Sequence, residues 1–116
     1  MLGDTAIAVH PEDERFKEFV GKYAYIPIIN KKIIIIADEY VKVDQGSGAV
    51  KITPAHDFND YEIGKRHNLE VINIFNENAE LNENCPNEYQ NLDRFKARKK
   101  IVNELETIGA CLLYTF

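Results

Sequence analysis

The chain has 116 residues, a formal net charge of −5 and a hydrophobic fraction of 45%. That apolar content is enough for the core of one domain, and the acidic balance excludes a protein that coats nucleic acid through bulk charge. No run approaches the roughly 18 apolar residues of a membrane-spanning helix, and the N-terminus has no basic start backed by an apolar stretch, as a secretory signal would.

In chain order, residues 4–9 read as a strand that begins almost at once, as in a piece cut from a longer protein. Pro11 followed by Glu12, Asp13 and Glu14 is a helix-start signal, because the acids complement the dipole. Phe16, Phe19 and Val20 continue it, and the pattern predicts a short helix over residues 12–20, stopped by Gly21. Residues 23–29 and 32–37 are β-rich with a turn at Asn30 and Lys31, and residues 41–43 add a short strand. A glycine turn at residues 45–48 precedes a strand over 49–53 and a helix over 58–67. Residues 71–75 read as another strand, residues 76–86 as a polar loop or hairpin. A long helix over residues 91–108, basic in its middle, ends at Gly109. Strands and helices do not alternate evenly, so a mainly β, α+β arrangement is expected: a barrel-like or curled sheet with helices attached. Cys85 and Cys111 form no Cys-x-x-Cys and read as two reduced thiols of a cytoplasmic protein.

The stretch "GSGAVKITPAHDFNDYEIG", residues 46–64, carries the chemistry. Side chains alternate along a strand, so Val50 and Ile52 point toward the core while Ala49, Lys51 and Thr53 point the other way. Pro54 ends the strand. Asp57 suits the N-cap of the next helix, which puts Asp60 at its third position. Two carboxylates at a helix start then lie beside a lysine and a hydroxyl at a strand end. Each has an ordinary role taken singly: a cap, a dipole complement, a solvated amine, a strand residue. Together, at adjoining element ends, they read as a site. A metal site built on His56, Asp57, Asp60 and His67 is disfavoured, because Asp57 and His67 lie at opposite ends of the helix, about 15 Å apart at 1.5 Å per residue.

The segments "GDTAIAVHPEDERFKEFVGK", "IIADEYV", "GSGAVKITPAHDFNDYEIGKRHNL" and "VINIF" resemble the inserted editing domain of valyl-tRNA synthetase, a class I aminoacyl-tRNA synthetase. The likeness runs from residue 3 to about residue 76 and continues more loosely into the last helix. "KITPAHD" favours the valyl branch over the isoleucyl and leucyl ones. The resemblance implies a barrel-like editing fold, here a single domain over residues 1–116 excised from a longer, ATP-binding synthetase. It implies hydrolysis of threonine wrongly esterified to valine tRNA, with no cofactor and no metal. The partners implied are the threonine-bearing 3′ end of tRNA(Val) and the rest of the parent enzyme. Carried over residue by residue, Asp60 holds the substrate ammonium and Lys51 stabilises the developing oxyanion or orients Asp57. Thr53, Asp57 and His56 line the polar pocket, and Lys65 and Arg66 contact tRNA. Gln45 stands where the family has an aromatic residue, and Ser47 replaces a common threonine. The family's Arg-Pro-Glu-Thr strand falls just before residue 1, and "CLLYTF" matches nothing in the pattern. The competing readings are a noncatalytic module that docks tRNA or braces its parent, the isoleucyl editing domain, and a metal-dependent hydrolase built on His56.

Overall fold

A computed structural model describes residues 1–109. Its contacts divide the chain into two compact units. Of the described residues, the first holds Met1, Gly3–Ile26 and Lys31–Asn73; the second holds Leu2, Pro27–Asn30 and residues 74–109.

The first unit is built on a four-stranded sheet. Its strands are β1 (Ala6–Val9), β2 (Tyr23–Ile26), β3 (Lys31–Ala37) and β4 (Ala49–Ile52). Their spatial order is β2-β3-β1-β4, with β1 parallel to β3 and antiparallel to β4. The sheet is open and mixed, and β2 and β4 are its edges. A closed barrel is therefore not what these strands form, although the small mixed α/β architecture is compatible with an editing domain. Pairing sets Ala6 against Ile34 and Ile52, and Ala8 against Ile36 and Val50. One face thus carries Ala6, Ala8, Ile36 and Ile52, which bury with Val41 and Ile63 into a single cluster. Val50 shares that face but lies on the edge strand with one neighbour, and it is 37% exposed. The expectation that it points into the core fails for that reason.

Ile63 belongs to helix α1 (Phe58–His67), which has the bounds its sequence predicts. Asp57 caps it: its side chain accepts the backbone N–H of Asp60 at 3.1 Å. Asn68, in the left-handed region at φ 54°, closes it. Gly64 permits a close approach, since a Cβ there would sit 3.1 Å from Pro54 Cγ.

Three predicted elements are absent or reduced. Residues 12–20 form turns and one 3-10 turn, Lys17–Phe19. Asp13 engages the backbone and guanidinium of Arg15, and so few residues do not offset helix nucleation. Residues 41–43 are not a strand, because the Asp38 carboxylate accepts Tyr40 N–H and its carbonyl accepts Val41 N–H, a turn. Residues 71–75 contribute only a bridge between Phe75 and Leu81. The strand before the 27–30 turn stops at Ile26, where Pro27 withdraws a donor.

The second unit packs Leu81, Cys85, Tyr89 and Ala97 as buried residues. Helix α2 (Arg94–Thr107) starts three residues later than predicted, because Asp93 is its cap and accepts from Phe95 and Lys96 N–H, both at 2.9 Å. Cys85 is a free, buried thiol, and burial pushes its pKa up. Cys111 and the "CLLYTF" tail lie outside the described residues.

Candidate active site

The end of β4 and the start of α1 converge. Thr53 is the hub: its backbone N–H donates to Asp60 Oδ2 at 3.0 Å, and its hydroxyl donates to Asp4 Oδ1 at 2.5 Å. Lys51 Nζ donates to the same hydroxyl at 3.1 Å and lies 3.9 Å from Asp60 Oδ2. Asp4, Thr53 and Asp60 are buried, while the Lys51 side chain is 59% exposed. Buried carboxylates are costly unless a cation or several donors face them. Here two of them are linked through one threonine: Asp60 faces the half-solvated Lys51 amine, and Asp4 Oδ1 lies 3.7 Å from the Met1 ammonium. Asp60 has Lys51 alone as an ion-pair partner among the described residues, at a loose 3.9 Å, so its carboxylate suits a further cationic group. Among the described residues, Asp60 Oδ1 accepts no hydrogen bond, which leaves one carboxylate oxygen for a ligand donor.

Chain reversal explains this arrangement. Antiparallel pairing of β1 with β4 sets Ala6 against Ile52, so the residues just before β1 and just after β4 are neighbours. Asp4 and Thr5 precede β1, and Thr5 N–H donates to the Ile52 carbonyl at 3.0 Å. Among the described residues, the buried Thr5 hydroxyl has no hydrogen-bond partner. Asp4 and Thr5 lie at this candidate site, and sequence reasoning missed both. The available signal was a pair of polar residues leading into a buried apolar strand with no turn motif to explain them.

Of the residues named from sequence, Lys51, Thr53 and Asp60 converge, and Asp57 supports them as the cap. His56 follows Thr53 in the turn, its N–H bonded to the Thr53 carbonyl at 3.1 Å. Burial first, then the N-terminal ammonium and Lys51, lower the pKa of its imidazole, favouring the neutral ring. His67 is at the far end of α1, with Nε2 3.0 Å from Asp38 Oδ2. Among the described residues, no three His, Cys, Asp or Glu side chains come together as a metal would need.

Arg66 forks onto Asp38: Nη2 lies 2.9 Å from both carboxylate oxygens and Nε 3.2 Å from Oδ2. Burial alone would raise the Asp38 pKa, but the Tyr40 N–H, Arg66 and His67 outweigh it and hold it below the usual range. A cavity of about 580 Å³ lies here, lined by Pro11, Asp38, Tyr40, Arg66 and His67 among others. It is at the opposite end of α1 from Lys51 and Asp60, and its guanidinium is already spent on a carboxylate. The Asp4–Thr53–Asp60 cluster is therefore the candidate site. Lys65 sits 3.7 Å from Glu62 and over the Tyr61 ring at 5.5 Å, on the exposed side of α1.

An α/β unit with this acid-rich strand–helix junction is the setting of an aminoacyl-tRNA editing domain, and the chain belongs to that family: the model of the leucyl-tRNA synthetase editing domain matches residues 5–106. Within it the chain is of the valyl kind. It is 64% identical over 106 residues to the valine–tRNA ligase of Pelagibacter ubique, 60% over 109 residues to that of Francisella tularensis and 58% over 109 residues to that of Bacillus subtilis. These matches cover 91% to 94% of the chain and 12% of the length of each relative.

Proposed function

We propose that this domain deacylates threonyl-tRNA(Val) as the editing part of a valine–tRNA ligase. The observation that carries the reading is the buried Asp4–Thr53–Asp60 cluster with Lys51 at its mouth.

The need for such a site is physical. A pocket that admits valine rejects threonine by only about 10²-fold, a figure already established for valyl-tRNA synthetases and not obtained from this structure. A polar pocket inverts the choice, because valine leaves buried donors and acceptors unpaired at about 1–3 kcal/mol each. Thr53 suits this task. Its hydroxyl donates to Asp4 and accepts from Lys51, so one acceptor position remains for the substrate hydroxyl. Asp60 Oδ1 takes the α-ammonium, a charge-assisted pair that also fixes the ester carbonyl. Water adds to that carbonyl, and Lys51 faces the oxyanion that forms. The bond to the ribose oxygen then breaks, the oxygen takes a proton, and threonine leaves with its ammonium intact. Asp57 acts through the helix start, holding Asp60 in place.

The test is deacylation of threonyl- and valyl-tRNA(Val) by the chain and its Asp60→Ala variant, with and without excess chelator. Cleavage of the threonyl ester alone, lost in the variant and unchanged by chelator, is the expected result. RNA binding without cleavage of either ester would favour the noncatalytic docking module instead. Loss of activity in chelator would favour the metal-dependent hydrolase.

A further inference from the structure

The first seven positions of α2, "RFKARKK", hold five cations and no acid. Glu104 and Glu106 follow in the last turns. This order opposes the helix dipole, which favours acids at the N-terminus and cations at the C-terminus. It also sets like charges one turn apart, Arg94 with Arg98 and Lys96 with Lys100, which destabilises an isolated helix. A face serving only solubility would interleave the signs.

The cations divide into two groups. Lys100 is engaged: it donates to the Glu88 carbonyl at 2.6 Å and lies over the Tyr89 ring. Arg94 lies over Phe95, 4.8 Å from its centroid. Lys96, Arg98 and Lys99 are exposed and, among the described residues, make no ion pair or hydrogen bond through their side chains. Phe95, 66% exposed, stands among them. Asp93 already occupies the N–H groups of Phe95 and Lys96, so the side chains, not the helix terminus, are what the patch offers.

We propose that Lys96, Arg98 and Lys99 form a docking surface for an RNA phosphate backbone, with Phe95 as a stacking platform for an unpaired base. The occupant follows from charge complementarity: three free cations beside an exposed ring, on a chain whose net charge is −5, match a polyanion that carries aromatic bases. The proposal rests on the RNA substrate of the preceding section but not on its hydrolytic chemistry. The surface supplies affinity, and the Asp60 cluster supplies cleavage.

The experiment is fluorescence anisotropy of the full chain with a fluorescein-labelled, uncharged tRNA(Val) transcript, from 50 to 200 mM salt. Three phosphate contacts at a slope of about −0.7 to −0.9 each predict roughly 20- to 40-fold weakening across that range. The variant K96Q/R98Q/K99Q should bind more than tenfold more weakly at 50 mM salt and lose most of that dependence. A charge-matched control, K22Q/K31Q/K42Q, should change affinity less than threefold. Circular dichroism of the helix variant should show an unchanged fold. Its hydrolysis of threonyl-adenosine, which carries no phosphate backbone, should equal the parent's. An equal loss in both triple variants, no loss in the helix variant, or a parent chain that does not bind at 50 mM salt would overturn the proposal. A parent that binds through this patch yet cleaves neither ester would leave the surface standing and overturn only the editing chemistry.

Discussion

Asp60→Asn separates a binding role from a structural one. In the parent, Asp60 Oδ2 accepts the Thr53 N–H at 3.0 Å and lies 3.9 Å from Lys51. An asparagine is isosteric and keeps an acceptor for the buried N–H. What it loses to folding is one loose ion pair to a lysine that is 59% exposed, and such pairs contribute only about 0–1 kcal/mol. What it loses to the substrate is a charge-assisted bond to an ammonium, about 1.5–3 kcal/mol. That converts to a fall of roughly 10- to 150-fold in kcat/KM at 1.36 kcal/mol per decade. The assay is kcat/KM for threonyl-tRNA(Val) beside a urea midpoint on the same preparation. Asp60→Ala, in contrast, leaves the Thr53 N–H without a partner and should cost about 1–3 kcal/mol of stability as well. If Asp60→Asn cleaves as fast as the parent, or loses activity only in proportion to stability, the ammonium-binding role is refuted.

Asp57→Ala removes the cap of α1 and should lower unfolding free energy by about 0.5–2 kcal/mol in urea, with a smaller loss of deacylation than at Asp60. Asp38→Asn should cost about 1–2 kcal/mol, since it weakens a buried acceptor whose Arg66 partner is half-exposed. Because the Asp38 pKa is depressed on folding, its contribution is present above the unfolded value of 3.8 and is lost as pH falls through the lower folded value. The acid limb of the stability curve below about pH 4 should therefore be flatter in Asp38→Asn. Gly48→Ala should destabilise by about 1 kcal/mol or more in thermal melts, because φ there is +82° and a Cβ would press on the Arg15 side chain that pairs with Asp13.

Much of the candidate site was legible because it is local. The Pro54 stop, the Asp57 cap and the Asp60 position three residues on are all consequences of backbone chemistry within one short segment, and the bounds of α1 follow from them. Lys51 and Thr53 were legible for the same reason, since strand alternation puts them on one face. Residues 12–20 and 71–75 had apolar content suited to a helix and a strand. Whether such segments form regular structure depends on partners elsewhere in the chain, and the pattern alone does not report those partners.

The amino-acid order by itself determined the strand–turn–helix segment that presents Lys51, Thr53 and Asp60, and the family to which it belongs. Only the tertiary structure decided that Asp4 joins the candidate site from 49 residues away, and that Arg66 is held by Asp38 across 28 residues. The physical reason is sheet order. β1 lies between β3 and β4, and this placement brings the residue before the first strand beside the residue after the last. No local propensity encodes that placement, because it is set by which apolar faces bury together.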